Sequence, residues 1–236
     1  MQISVVVPAF NETPRIRWTA ECVTAFLERE FDEFEVIVVD DGSDVDAQTL
    51  LAGLPHVRCL RNDVNRGKGY SVRRGMLEAR FDPVLFTDAD LSTPIEEALF
   101  LWREIDAGAD IAIGARLRDS SKQVRRPPLR RLMAFVFRLC VKLIALRGFY
   151  DTQCGFKMLR RNTARALFGV ASLDRWGFDV EILFMARRRG LRVAQVPVSY
   201  SESKQSRLSF LTPLTMLCDL LRIRWNALRG RYDMGK

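Results

Sequence analysis

The chain has a single histidine, His56, among 236 residues. That excludes a histidine-based zinc site and leaves little room for a Ser-His-Asp triad. Its five cysteines (Cys22, Cys59, Cys140, Cys154, Cys218) show no CxxC or metal-ligand spacing, so reduced, buried thiols are expected. No stretch of ~20 uninterrupted apolar residues is present, and no basic-then-apolar leader precedes the first strand pattern. Acidic residues are the scarcer charge: 29 against 37 basic ones, for a net charge of +8. An anionic partner is implied, whether nucleotide, lipid phosphate, phospholipid or nucleic acid. Aromatic residues are not interleaved with the basic ones in an RNA-binding pattern, which argues against a nucleic-acid module.

What is present is a succession of short apolar runs. Ile3–Val7 is a β-branched strand ended by Pro8, and Thr13-Pro14 opens a helix through Ile16, Val23 and Leu27. Phe34–Val39, Val57–Leu60, Pro83–Phe86 and Ile111–Ile113 read as further strands, with helices between them, one over Ile95 to Asp106. The alternation gives an α/β fold with a mainly parallel sheet flanked by helices. At 236 residues it forms one domain with an appendage: 1–207, then a helical amphipathic tail over 208–236.

Polar motifs stand where strands end, the place such sheets bind ligands. They are Pro8-Ala9-Phe10-Asn11-Glu12, Asp40-Asp41-Gly42-Ser43, Asn65-Arg66-Gly67-Lys68-Gly69 and Asp88-Ala89-Asp90. Asp88 and Asp90 share a face if the strand continues, and two neighbouring carboxylates call for a cation. A divalent metal carrying phosphate oxygens supplies one. The plainer reading is a helix cap by Asp90, Ser92 or Thr93 ahead of Pro94.

The 116–147 segment carries ten basic residues and one acid, Asp119, and from Leu129 to Leu146 this charge is mixed with Leu, Phe, Val and Ile. A basic amphipathic helix at a membrane interface fits it; a core helix with snorkelling arginines is the alternative.

In order on one α/β pattern, these motifs resemble the inverting family 2 glycosyltransferases of GT-A fold, and among them the polyprenyl-phosphate sugar transferases. Asp151–Lys157, Arg175–Glu181, Val196-Pro197-Val198 and Ser206-Arg207-Leu208 add to the resemblance, which covers roughly residues 2 to 210. It implies a nucleotide-sugar donor held by Pro8, Phe10, Glu12, Asp40, Asp41, Lys68, Asp88, Ala89 and Asp90. It implies Mg²⁺ or Mn²⁺ on Asp90 and Asp88, and acceptor phosphate on Arg116, Arg130, Arg131 and Arg207. Where relatives of the mannosyl type carry a serine, this chain has Phe135. Asp179 is either a base for a glycan hydroxyl acceptor or an acceptor-orienting group, with Glu181 nearby. A glucosyl transfer from UDP-glucose is expected, with GDP-mannose and other nucleotide sugars as alternatives. The resemblance implies that Gln153 and Lys157 border the sugar, and Cys154 is expected to be packed core rather than a nucleophile. The expected location is peripheral, on the cytoplasmic face of a membrane. Attachment would come through amphipathic segments, a membrane-protein partner or homo-oligomerisation.

Overall fold

The computed structural model describes residues 1–13, 15–116, 148–201 and 212–233. Arg130, Arg131, Phe135, Arg207 and the proposed interfacial helix over 129–146 lie outside them.

In chain order the elements are β1 (Gln2–Ala9), α1 (Ile16–Glu30), β2 (Glu33–Asp40), α2 (Ala47–Leu51), β3 (Val57–Arg61), α3 (Lys68–Glu78) and β4 (Val84–Thr87). A 3₁₀ turn (Ile95–Glu97) leads into α4 (Ala98–Asp106). There follow β5 (Ile111–Arg116), β6 (Phe156–Leu159), α5 (Arg161–Phe168), α6 (Phe178–Arg188), β7 (Val193–Val198) and α7 (Thr212–Leu228).

The seven strands form one sheet in the order β3-β2-β1-β4-β6-β5-β7. The expected parallel pattern holds except at β6, which runs antiparallel to both β4 and β5. This exception matters for the site. An antiparallel strand starts where its parallel neighbours finish, so Asp151 to Gly155 arrive at the same edge as the carboxyl ends of β1, β2, β4 and β5.

Side chains alternate across the sheet. Val6, Ile37, Val39, Val84 and Phe86 join one buried cluster with residues of α3, α5, α6 and α7. Val5, Val7, Val36, Val38 and Leu85 join the other, with residues of α1 and α4. The near-continuous apolar strands follow from burial on both faces.

Several boundaries differ from the sequence reading. β1 continues through Pro8 to Ala9, because Val6 is its last residue paired with β4 and Pro8 lies beside Val39 of β2. Helix α1 begins at Ile16, with Arg15 rather than Thr13 ahead of it and no side-chain cap. The C-terminal α7 is not set apart from the core: Leu220, Ile223 and Ala227 are buried in the cluster shared with α6. Among the described residues no helix is long and apolar enough to cross a membrane.

Candidate active site

The site is built from loops at the carboxyl edge of the sheet. Asp40, the last residue of β2, is fully buried. One carboxylate oxygen accepts from Ser43 N at 3.0 Å, the other from Ala47 N at 3.3 Å and from the Arg61 guanidinium. As placed, Asp40 shapes its own turn. Asp41 accepts from Asn62 Nδ2 (2.7 Å), Arg66 N (3.0 Å) and Gly67 N (2.8 Å), and so holds the β3–α3 loop. The turn is tied to the β1 loop as well: Asn11 N donates to Ser43 Oγ and Asp44 N to Asn11 Oδ1, both at 2.9 Å. Beside it, Pro8 is buried in β1, Phe10 is 36% exposed, and Glu12 pairs with Arg15 at 2.9 Å. The four donor-side motifs are thus drawn to one edge.

Asp41's grip presents Lys68 at the start of α3. Its ammonium meets Asp88 Oδ1 at 2.5 Å and lies 5.4 Å from the centre of the Trp176 ring. Burial pulls the Lys68 pKa down, but the charges of Asp88, Asp179 and Asp90 outweigh it, so the pKa is raised and the group stays cationic.

The β4 strand stops at Thr87, so Asp88 and Asp90 are aimed by a turn rather than by strand alternation. Leu91 N donates to Asp88 O at 3.1 Å, and Asp90 Oδ1 accepts from Ser92 N at 3.0 Å. This Asx-type turn replaces the helix cap expected of Asp90, Ser92 or Thr93: Pro94 precedes the 3₁₀ turn, Glu97 precedes α4, and neither position has a side-chain cap. A Cβ on Gly155 would sit 2.1 Å from Asp88 Oδ2. Glycine is therefore what lets the start of β6 close against this carboxylate.

Behind Asp88 lies a second ion pair. Lys157, 1% exposed on β6, places Nζ 2.5 Å from Asp179 Oδ1 and 2.5 Å from Cys154 O. Asp179 is in the first turn of α6. Phe178 anchors that turn through a tilted ring contact with Phe86 of β4, 5.8 Å between centroids, a contact worth about 0.5–1.5 kcal/mol beyond its buried area. Burial raises the Asp179 pKa, against the pull of Lys157 and Lys68. Cys154 is buried and its thiol pKa is raised by that burial, as expected of a packed rather than nucleophilic cysteine.

Because the segment is helical, Glu181 points away from Asp179. Its carboxylate accepts from Ser172 N, Ser172 Oγ, Leu173 N and Tyr232 OH at 2.7–3.1 Å, which secures the loop leading into α6. Arg116, at the end of β5, forms a two-pronged bond with Asp151: Nε to Oδ2 at 2.5 Å and a terminal nitrogen to Oδ1 at 2.8 Å. Its guanidinium also stacks 5.0 Å from the Tyr200 ring centre. Burial opposes the Arg116 charge, yet Asp151 raises its pKa. Of the expected acceptor arginines, it is the one within the described residues.

The sequence reading did not find the Lys157–Asp179 pair, the fit of Gly155 to Asp88, or the part played by α7. A lysine inside the apolar run Phe156-Lys157-Met158-Leu159 was the available signal, since a buried lysine requires a partner.

The donor set suits a divalent cation shared with a ligand. Asp88 and Asp90 offer carboxylates, and among the described residues no group of three His, Cys, Asp or Glu side chains is placed to cage a metal alone. Two carboxylates plus substrate phosphates are the usual setting for Mg²⁺.

A mainly parallel sheet with an Asp-Ala-Asp turn and a lysine beside it at the strand ends is a frame suited to a phosphorylated ligand and a divalent cation. The chain matches the Glycosyl transferase family 2 profile over residues 4–168 and belongs to that family; it is a glycosyltransferase. It is 33% identical to a dolichyl-phosphate beta-glucosyltransferase of Dictyostelium discoideum, over 98% of this chain and 76% of that one. With its counterpart in Drosophila melanogaster it shares 38% identity, covering 98% and 77% respectively. Among solved structures, glucosyl-3-phosphoglycerate synthase from Mycobacterium tuberculosis in complex with Mn²⁺, UDP-glucose and phosphoglyceric acid superposes with a TM-score of 0.72 at 19% identity, over all of this chain and 81% of that one. Mannosyl-3-phosphoglycerate synthase from Rubrobacter xylanophilus gives 0.73 at 19%, over all of this chain and 76% of that one. These likenesses show the GT-A fold.

Proposed function

We propose that this protein transfers glucose from UDP-glucose, with inversion, to a polyprenyl phosphate of the dolichyl or undecaprenyl type, at the cytoplasmic face of a membrane to which it binds peripherally. The observation that carries this reading is the similarity to dolichyl-phosphate beta-glucosyltransferases over nearly the whole chain. It is supported by a site whose cations and carboxylates suit two phosphorylated substrates.

In this reading an oxygen of the acceptor phosphate forms a bond to the anomeric carbon as the bond from that carbon to the UDP oxygen breaks. The pair of electrons leaves with UDP. Asp90 and Asp88 would hold Mg²⁺ or Mn²⁺, which when bound supplies Lewis-acid stabilisation of the departing diphosphate. Lys68 holds Asp88 in place and brings a second positive charge to the diphosphate. Pro8, Phe10, Glu12 and the Asp40–Asp41 turn frame the nucleoside. Arg116 orders the acceptor side through Asp151, and Arg130, Arg131 and Arg207 contribute to acceptor phosphate binding.

No general base is required. A phosphate monoester has its second pKa near 6 and is largely dianionic at neutral pH. The pairing of Asp179 with Lys157 favours a positioning role for Asp179 over removal of a proton from a hydroxyl acceptor.

The test is direct. Purified protein with UDP-glucose, dolichyl phosphate and Mn²⁺ is expected to yield a glucosyl lipid with the β configuration. Absence of lipid product across a panel of nucleotide sugars and prenyl phosphates would overturn the proposal.

A further inference from the structure

Helix α7 presents three sides. Its core side is Leu220, Ile223 and Ala227, buried in the cluster shared with α6. A second side, Thr215, Asp219 and Arg222, lines a cavity of about 360 Å³ together with Arg66, Arg175 and Trp176. Charges there answer one another: the Arg222 charge acts on Asp219, and Arg66 donates to Tyr70 OH at 2.8 Å. The third side, turned to solvent, is apolar. Leu221, Trp225 and Leu228 are 59%, 54% and 82% exposed, and Cys218 one turn before them is exposed too. Steps of three, four and three residues keep all four on one stripe, about half a turn around the helix from the core side.

The rotation of α7 that exposes this stripe is fixed. Asn226 on the core side donates to Ser172 Oγ at 2.9 Å, and just past the helix Tyr232 OH donates to Glu181 at 2.7 Å. Asp219 packs against Gly177, where an added Cβ would lie 2.5 Å from the carboxylate. A lone exposed leucine is ordinary, but a contiguous apolar stripe held outward by packing marks an interaction surface.

Arginines border the stripe. From Leu220 to Tyr232 there are four, Arg222, Arg224, Arg229 and Arg231, and no acid. Arg224 lies along one edge, its guanidinium 5.8 Å from the Phe184 ring centre. Arg229 lies at the other, 4.4 Å from the Trp225 ring centre. Stacking on a ring leaves the guanidinium N–H donors available for an anion. The fitting partner is therefore apolar in its depth and anionic at its surface, which describes an acidic lipid bilayer. Tryptophan suits such a boundary, with an apolar ring and one polar N–H. A second copy fits worse, since a twofold contact on this stripe would bring the same arginines of both copies together. With these arginines α7 would lie in the interface rather than cross the bilayer.

We propose that the outward side of α7 is a membrane-docking surface, with Leu221, Trp225 and Leu228 set at the boundary of headgroups and acyl chains of an anionic bilayer and Arg224 and Arg229 at its phosphates. The inference rests on the peripheral membrane binding proposed above and gives it a surface within the described residues. It leaves the acceptor phosphate with the arginines already assigned to it. Through the Gly177–Asp219 contact, α7 is packed against the loop that carries Trp176, whose ring lies beside Lys68. A bilayer held at α7 would thus be joined through one packed contact to the donor side of the site.

The test is sedimentation of the full chain with vesicles of phosphatidylcholine, alone or mixed with phosphatidylglycerol, without donor, acceptor or metal. The parent is expected to bind the mixed vesicles and to leave the neutral ones largely unbound. Leu221→Glu with Trp225→Glu is expected to weaken binding roughly tenfold or more, and Arg224→Gln with Arg229→Gln roughly tenfold, with reduced salt sensitivity. Trp18→Glu, which alters an exposed tryptophan of α1 on the opposite layer, should bind like the parent. Melting temperatures near the parent's would show that the variants fold. A second readout needs no charged substitution and decides the matter should a charged pair melt early. Brominated phosphatidylglycerol should quench the parent's tryptophan emission, and Trp225→Phe should remove most of that quenching. A parent that does not bind the mixed vesicles, either paired variant binding them like the parent, or quenching that survives Trp225→Phe would each overturn the inference. So would a dimer of the parent that Leu221→Glu with Trp225→Glu dissolves while vesicle binding persists; that result would assign the stripe to a second copy. Vesicle docking through α7 with no glucosyl lipid formed would count against the transferase reading alone. Glucosyl lipid formed by a parent whose α7 variants dock unchanged would count against this inference alone.

Discussion

Gly155 leaves room for the carboxylate of Asp88: a methyl group there would stand 2.1 Å from Oδ2 and 2.5 Å from Cγ. The antiparallel β6 starts at this point, so one residue without a side chain joins the strand carrying Lys157 to the turn carrying the donor-side aspartates. Gly155→Ala is expected to push Asp88 off Lys68 while the fold persists, because Asp88 is partly exposed and can swing outward. Displacement by about an ångström commonly costs on the order of 10²-fold in rate. Steady-state transfer assays with a Mn²⁺ titration would measure it, and an unchanged metal dependence would refute the link.

Asp179→Asn leaves the Lys157 ammonium, 1% exposed, without its counter-charge. Breaking such a buried pair costs about 3–5 kcal/mol, whereas replacing both partners by well-packed apolar groups is often close to neutral. Asp179→Asn is therefore expected to lower the denaturation midpoint sharply, and Lys157→Met with Asp179→Leu to recover most of it. Urea titration of the three proteins tests this. Equal loss in the single and double variants would argue against a dominant ion pair.

Asp41→Ala removes the acceptor for Asn62 Nδ2, Arg66 N and Gly67 N together. Leaving buried donors unpaired costs about 1–3 kcal/mol. Because the same loop presents Lys68, the expected signature is a raised KM for the sugar donor with a smaller change in kcat. Donor kinetics at saturating acceptor would distinguish this from a general loss of folded protein.

Gly177 and Asp219 couple α6 to α7, since a Cβ at 177 would meet Asp219 Oδ2 at 2.5 Å. Gly177→Ala is expected to destabilise by about 1–3 kcal/mol, as overpacking does. Adding Asp219→Ala should relieve part of that cost, so the two substitutions should be non-additive in thermal unfolding. Strict additivity would show that the helices do not press on each other here.

Asp151 contributes a pH dependence with a definite sign. Burial works to raise its pKa, but the Arg116 bond prevails and holds it below the ordinary 3.8. The folded state therefore binds this proton less readily than the unfolded state. The stabilisation is present above 3.8 and is lost as pH falls from there through the folded-state pKa. Asp151→Asn should flatten this part of the acid limb of a melting-temperature profile. An acid limb identical to the parent's would rule out the pair as a contributor.

The alternation of apolar strands and helices was legible in the sequence because burial on both faces leaves continuous Val and Ile runs such as Val36–Val39. The strand-end positions of Asp40, Asp41 and the Asp-Ala-Asp run were legible for the same reason, since each follows such a run directly, whereas Lys68 comes after a loop of six residues beyond β3 and was marked by its flanking glycines. Strand ends were less so. Pro8 reads as a stop, yet β1 continues through it where pairing with β4 has already ceased. The direction of β6 was not legible at all, because Phe156–Leu159 has the same apolar pattern whichever way it runs.

By itself the sequence determined the layered α/β frame, the family motifs and the placing of the Asp40–Asp41 and Asp88–Asp90 carboxylates just past strands, since these follow from local periodicity and from residue type at strand ends. Only the tertiary structure decided how the charges pair. Lys68 goes to Asp88, Lys157 to Asp179, Arg61 to Asp40 and Arg116 to Asp151. The partners come from segments up to tens of residues apart, and the selection rests on distance and burial, which no linear spacing encodes. The same holds for α7: its sequence shows an amphipathic helix, but the packing of Leu220 and Ile223 into the core turns Leu221, Trp225 and Leu228 outward and sets Arg222 beside the cavity.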